Sequence, residues 1–391
     1  MSVQIPKEEA IMHRRRKSSS EGRFAGLIAG MVLLMACLWL GPSAARAQSV
    51  PSGYTPGDTH VFLGGEAGVG TDITKNQTSF TEPDLGLMPL VQEGRFFLES
   101  GFDVGIGSPV EVGPLNLSYM LPHGILLRLG QFDALPIGRF PRTYDPGWIN
   151  PLAAGPIGFD NFSGLTDFGL EVQGSGFIGN MRVRTFLSLT NGFTLQTAPG
   201  SAGLLNSGPV TDNNKAKMIG GRISVTPFFS SNFDLGVSDY YNSNVGNSGS
   251  RYDGVSSNVL AIDANYAPTL RSLKGFMRLR GQVNFVHVGK ATYMDASGQP
   301  YTFDNNSSVW YGMVGYQPSM ASSTFLQKVM VSFMLSHVNT PSGARWSDLG
   351  TGTQYDAGLT YWFTWRTNLK FSYDIQENTT NTLMLRVSTQ I

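Results

Sequence analysis

The chain has 391 residues, with 28 basic and 28 acidic side chains, 47 glycines, 11% aromatics and one cysteine. A balanced charge without a basic stripe argues against a nucleic-acid partner, and one cysteine excludes a disulfide framework. After the first 47 residues, no stretch holds the eighteen or so apolar residues of a membrane-spanning helix.

Residues 1–23 are polar and basic, with Arg14, Arg15, Arg16, Lys17 and Arg23, and an apolar run follows from Phe24 to Leu40. Ala45-Arg46-Ala47 then precedes Gln48. That order is the n-region, h-region and small-residue cleavage site of a secretory signal peptide over residues 1–47. The alternative, an uncleaved anchor in the inner membrane, does not need the small residues at 45 and 47. Removing the leader takes away seven of the 28 basic and three of the 28 acidic residues, which leaves a mature net charge of −4. Cys37 leaves with it, so thiolate metal sites and c-type haem attachment are excluded from the mature chain. His60, His123, His287 and His337 are scattered, without the spacing of a metal site. No cofactor is expected.

Residues 48–58 read as a short periplasmic lead-in. From 59 to 391 the sequence falls into pieces of about ten residues with alternating character, separated by turn residues. Sixteen strands are expected: 59–70, 80–91, 95–106, 111–121, 124–132, 165–175, 180–190, 216–227, 231–241, 255–267, 274–287, 306–317, 325–337, 353–364, 367–376 and 381–391. The connections alternate in length. Gln92-Glu93-Gly94, Pro122-His123 and Trp365-Arg366-Thr367 are short, whereas 133–164, 191–215, 242–254, 288–305 and 338–352 are long. Segregating loop length by parity is the habit of an antiparallel, up-and-down transmembrane β-barrel, with short periplasmic turns and longer outer loops.

Cost assigns the faces. Arg or Lys on the lipid side near the midplane costs roughly 2–4 kcal/mol, so the charged side chains belong inside. Phe96, Leu98, Phe102 and Val104 then face lipid, and Arg95, Glu99 and Asp103 the lumen. Val183, Leu187 and Leu189 oppose Arg182 and Arg184; Met277, Leu279, Val283 and Phe285 oppose Arg278, Arg280, Gln282 and Asn284. Tyr355, Leu359, Tyr361, Phe363 and Trp365 form an outward row with aromatics at both ends, as an interfacial girdle has. Leu369, Phe371, Tyr373 and Ile375 form another, opposite Lys370, Ser372 and Asp374. The interior so read is polar and of mixed sign. Arg128 joins the inward set, and Arg182 and Arg184 are expected to pair across strands with Asp167 and Glu171. The final strand carries Leu383, Leu385, Val387 and Ile391 outward and runs to the last residue.

In layout the chain resembles the Gram-negative outer-membrane porins. Local wording supports the likeness over about residues 80–192: Gly130-Gln131-Phe132, Pro136-Ile137-Gly138, Pro146-Gly147-Trp148-Ile149-Asn150, and Asp167-Phe168-Gly169-Leu170-Glu171-Val172-Gln173-Gly174. In sixteen-stranded porins the third outer loop folds into the lumen and forms the constriction, and here that loop is 133–164. Pro136, Pro141, Pro146, Pro151 and Pro156 recur every five residues and stiffen it. Arg139 and Arg142 would then oppose Asp145 and Asp160 across the opening, a field that orients dipolar solutes and selects ions by sign; the alternative is that these are solvated loop residues. The resemblance also implies outer-membrane lipid and lipopolysaccharide around the barrel, insertion by the barrel-assembly machinery, and a homotrimer. Barrels of this kind end on an aromatic residue, from which Ile391 departs.

Two signatures of other chemistry are weak. Gly174-Ser175-Gly176-Phe177-Ile178-Gly179 matches G-x-G-x-x-G, but falls between two strands and not between a strand and a helix. Ser336 and His337 form the one faint nucleophile pair, and adjacent strand residues point to opposite faces. The sequence therefore reads as a porin for passive diffusion of small hydrophilic solutes or ions, not an enzyme. A structural barrel that sheathes a separate electron-transfer cytochrome is the alternative.

Overall fold

The computed structural model describes residues 59–390 apart from 106–109, 133–134, 140–149, 160–165, 207–211, 229–231, 348 and 378. The expected leader (1–47) and lead-in (48–58) lie outside the described residues. Sixteen strands build the wall. The first eight are β1 (Thr59–Thr74), β2 (Thr78–Glu93), β3 (Phe96–Gly105), β4 (Glu111–Met120), β5 (Leu126–Phe132), β6 (Asp167–Ile178), β7 (Met181–Thr190) and β8 (Met218–Thr226). The second eight are β9 (Phe233–Asn242), β10 (Ser257–Tyr266), β11 (Gly275–Met294), β12 (Pro300–Gln317), β13 (Val329–Asn339), β14 (Gly352–Trp362), β15 (Thr367–Gln376) and β16 (Thr382–Gln390).

Every strand pairs antiparallel with its sequence neighbours, and β1 pairs with both β2 and β16. Closure removes both sheet edges, which is what a strand-built structure needs in a medium that offers no hydrogen bonds. A two-residue strand, Thr269–Leu270, extends the β10–β11 hairpin. Another pair, Thr194–Leu195 with Leu205–Asn206, forms inside the connection after β7.

The alternation that makes each segment a strand also shows which medium lies outside. On β15, Phe371 is 45% exposed whereas Lys370 on the opposite face is 2% exposed. Tyr373 and Ile375 follow Phe371; Ser372 and Asp374 follow Lys370. Apolar groups out and charged groups in is the reverse of a water-soluble sheet, and it suits a wall solvated by lipid.

Each of the sixteen expected segments overlaps one strand, and the differences lie at their ends. The expected long connection 288–305 is instead a continued hairpin, in which β11 and β12 run on past the bulge between Val288 and Ala291. That bulge shifts the side-chain parity, so the inner row Val286, Val288 continues as Tyr293, directly opposite Tyr301. The strict period of two is broken there. The connections after β5, β7, β9 and β13 do leave one end of the barrel. Turns as short as 94–95 and 179–180 close the other, where 318–328 is the longest.

The interior departs in part from the expected polar lining of mixed sign. On β9–β13, Tyr240, Val259, Val286, Val288, Val309, Tyr311, Met334 and Val338 face inward and form one apolar cluster. They pack against Leu135, Ile137, Leu152 and Phe159 from the connection after β5, and against Phe193, Leu204 and Val245 from the next two long connections. A wall position covered by protein instead of water takes an apolar side chain. Parity reveals the face but not what covers it.

Candidate pore-lining site

Two charged clusters occupy the inner face between β3 and β10. The first is centred on Arg128. Leu127 and Leu129 flank it on β5, so the guanidinium is aimed inward, and register places it opposite Glu171 on β6. It donates to Glu171 and to Glu99 on β3, each at 2.9 Å, and more weakly to Asn116 at 3.4 Å. The Gln173 amide also donates to Glu171. Arg128 is 13% exposed and Glu171 1%. Arg128→Ala would leave Glu171 buried without its cation, a loss of about 3–5 kcal/mol. The expected result is an unfolding midpoint in urea well below that of the unaltered protein, with Glu99→Gln at the more open end costing less.

The second cluster joins four strands and the connection after β5. Asp234 on β9 accepts from Arg139 and from Arg184 on β7, each at 2.9 Å, and from the Thr226 hydroxyl at 3.2 Å. Arg222 on β8 lies 3.9 Å from Asp234 and holds Asp263 on β10 with two bonds, one of 2.8 Å. Its two-pronged geometry suits a carboxylate, and the missing side chain at Gly236 leaves the guanidinium its space. Three arginines and two aspartates thus stand on adjoining surfaces, with a local excess of positive charge.

Part of this departs from the sequence reading. Arg184 stands opposite Ser175, not Glu171, and its carboxylate partner is Asp234. Asp167 caps its own strand end, accepting from the Phe168 N–H at 2.7 Å and the Gly192 N–H at 2.6 Å. Arg182, exposed, stands opposite Phe177 near the short-turn end. Arg95 is exposed in the two-residue turn after β2, at the rim, and its carbonyl accepts from the Met120 N–H. Arg139 has Asp234 as its partner, while Arg142, Asp145 and Asp160 lie outside the described residues. Arg222, Asp234 and Asp263 were not singled out from sequence. Asp234 alternates with the outward Leu235 and Val237, which marks it as inward but gives no sign of its partners.

The connection after β5 is fastened to the polar face of the wall by its own backbone. The Gly138 N–H donates to Ser238 on β9 at 2.9 Å, and the Arg139 N–H to the Gln282 side-chain carbonyl on β11 at 2.8 Å. Further along, the Ala153 N–H donates to Ser372 on β15 at 2.9 Å and the Ile157 N–H to Ser336 on β13 at 3.1 Å. Gln354 and Thr360 on β14 donate to the carbonyls of Gly155 and Pro151. Backbone groups without a ladder must find partners when buried, and short polar wall side chains supply them. Phe159 meets Tyr311 edge-on, with ring centroids 5.1 Å apart.

Gly138 has a φ of +70°, and a side chain there would collide with the Gln282 amide. Gly358 likewise makes room for Leu152, whose Cδ2 would lie 2.8 Å from an added Cβ. Gly358→Val should therefore overpack this contact, a cost of roughly 1–3 kcal/mol. Faster proteolysis within 133–164 on an otherwise protected barrel is the expected readout; an unchanged digest would show that the contact does not hold the segment.

At the long-loop end, Arg345 bonds Asp295 and lies over the Tyr301 ring at 4.6 Å. The Ser297 hydroxyl and the Gln299 N–H, together with Arg345, hold the Asp295 carboxyl below its usual range. The Trp346 indole N–H donates to the Ala202 carbonyl at 2.7 Å, and the Asn305 amide to the Gly203 carbonyl at 2.9 Å. These contacts tie the connections after β7 and β13 to the extended β11–β12 hairpin.

The G-x-G-x-x-G residues occupy the end of β6 and its turn, where Gly179 has a φ of +59°. Ser336 faces Gln354 and Ile157 within the wall, while His337 contacts Thr353 and Trp310 on the other face.

No family model and no curated protein matches the sequence. Solved structures do match in fold. An anion-selective porin from Comamonas acidovorans superposes with a TM-score of 0.52 at 11% identity, covering 85% of this chain and 100% of that one. OmpF of Salmonella typhi, in complex with daunomycin, gives 0.56 at 11% identity, covering 85% and 97%. OprB of Pseudomonas putida, in a high-pH structure, gives 0.53 at 8% identity, covering 86% and 94%. The fold is that of the outer-membrane porins.

Proposed function

We propose that this barrel sits in the bacterial outer membrane and forms a water-filled channel for passive diffusion of small hydrophilic solutes and ions. The observation that carries the reading is the inverted wall: sixteen closed strands, apolar outside, with arginines and carboxylates buried on the inner face. An interior that holds Arg184, Arg222, Asp234 and Asp263 is built for water and charge. The segment 133–164 narrows that interior. It leaves the end of β5, and its described residues bond to β9, β11 and β13–β15. In a closed ring of sixteen, β13 lies diametrically opposite β5, and these bonds support a segment that crosses between them. Arg139, held against Asp234, stands at the edge of the remaining passage, and Arg142, Asp145 and Asp160 complete it in this reading.

Residues 1–47 act as a cleaved export signal and 48–58 as a periplasmic lead-in. Likeness in fold is the support for a homotrimer. Solutes cross the barrel without an enzymatic step. Liposomes carrying the purified protein should swell in small sugars at rates that fall steeply with sugar size. Folded protein that leaves them impermeable to every sugar would refute the channel.

Orientation follows from loop length: the end bearing 191–217 and 243–256 faces outward. Cysteines introduced at Ser201 or Ser248 should react with an impermeant maleimide on intact cells. Reaction only after the outer membrane is permeabilised would reverse the topology.

A further inference from the structure

At the short-turn end, the wall of β11–β14 carries a second, open feature that the charged clusters do not use. A cavity of about 520 Å³ opens there, lined by Arg278, Gln317, Lys328, Met330, Trp362 and the 363–365 turn. Strand parity gives its geometry. Arg278 shares a face with the buried Gln282 and Asn284, and Trp362 with the buried Asp356 and Thr360. Met330, 1% exposed, forms the floor. Gly315 stands opposite Arg278 in register, and an added Cβ there would lie 3.1 Å from the Met330 sulfur. Glycine at 315 therefore keeps the space between Arg278 and the floor open.

Charge and shape together select a ligand. The Lys328 ammonium is held at the rim by the Phe363 carbonyl at 3.2 Å, and Arg366 lies over the Trp365 ring at 4.4 Å. Two cations, Arg278 and Lys328, stand among the described lining residues. A guanidinium offers paired donors that fit a carboxylate, and an indole offers a flat apolar face for a ring. The volume falls within the range of roughly 300–1,000 Å³ typical of small-molecule sites. The position is also telling. Thr360, two residues before Trp362 on β14, is where the wall holds Pro151, so a solute that has passed the segment meets this cavity next.

We propose that the cavity is a binding site for small aromatic carboxylates at the mouth of the barrel that bears the short turns. Arg278 and Lys328 hold the carboxylate and Trp362 packs against the ring. The site's place on a diffusion path rests on the channel reading; the binding does not.

The test is calorimetric titration of benzoate, with acetate as the ring-free control, into the folded protein in detergent. Benzoate should bind, and acetate about tenfold more weakly or worse, a difference of about 1.4 kcal/mol. Arg278→Gln with Lys328→Gln should weaken benzoate about tenfold or more, and Trp362→Leu should bring benzoate close to acetate. Lys328→Gln alone, at an exposed position, should weaken it measurably without disturbing the wall. Lys290→Gln, exposed towards the opposite end, should leave binding unchanged. Absence of benzoate binding, equal binding of acetate, or full binding by the double variant would overturn the proposal. Planar-bilayer recording of the same preparations separates the two readings. A conducting protein that ignores benzoate loses the site and keeps the channel, and a silent protein that binds it keeps the site and loses the channel.

Discussion

Replacing residues 134–164 with a short glycine-asparagine turn should raise single-channel conductance severalfold and admit sugars that the unaltered protein excludes. The wall does not depend on this segment for closure, because β5 and β6 pair through seven residues from Leu126–Gln173 to Phe132–Asp167. Sixteen strands spaced about 4.8 Å apart and tilted by about 40° enclose a ring roughly 30 Å across at the backbone. Without an inner segment such a ring is a wide aqueous tube. Excision also removes Leu135, Ile137, Leu152 and Phe159, and so uncovers the inner apolar cluster they pack against. Lower stability should therefore accompany the larger current. A folded excision variant with unaltered conductance would place 133–164 outside the passage.

The second large effect is a reversal of ion preference by opposite substitutions in one cluster. Arg139→Ala with Arg184→Ala should shift the reversal potential in a salt gradient towards cation preference, and Asp234→Asn should shift it towards anions. Both arginines lie within 2.9 Å of Asp234, so each substitution alters the field over the same stretch of passage. A unit charge about 4 Å away is worth roughly 4 kcal/mol at an intermediate effective dielectric, against about 1 kcal/mol in bulk water. The shifts should be largest at low ionic strength, where the screening length is longest. Asp234→Asn also leaves Arg139, Arg184 and Arg222 with less compensation, so this variant should unfold earlier in urea. Shifts of the same sign for both variants would contradict the assignment of this cluster to the ion path.

The wall was legible because lipid imposes a strict rule. A side chain such as Lys370 must face away from Phe371 and Leu369, and repeating that constraint along ten residues fixes both the strand and its orientation. Sixteen segments could be counted that way. The same rule failed at Val288–Ala291, where one bulge reverses parity and two strands read as a loop. Partners were less legible than faces. Parity assigns Arg184 and Glu171 to one face, yet register puts Arg184 beside Ser175 and Ser224 and hands Glu171 to Arg128. Register is set by turn geometry summed along the sheet, which one strand's sequence does not carry. Asp234 became central only through the segment that reaches it with Arg139, 95 residues earlier in the chain. The proline spacing marked that segment as stiff, whereas its anchors, Ser238, Gln282, Ser336, Gln354 and Ser372, are ordinary polar residues until something packs on them.

The most direct test of the account is planar-bilayer recording of the purified, folded protein in potassium chloride. Stepwise, long-lived openings of uniform size are the predicted result, smaller than those of the variant lacking 134–164. A folded barrel that inserts into the bilayer and passes no current would contradict it.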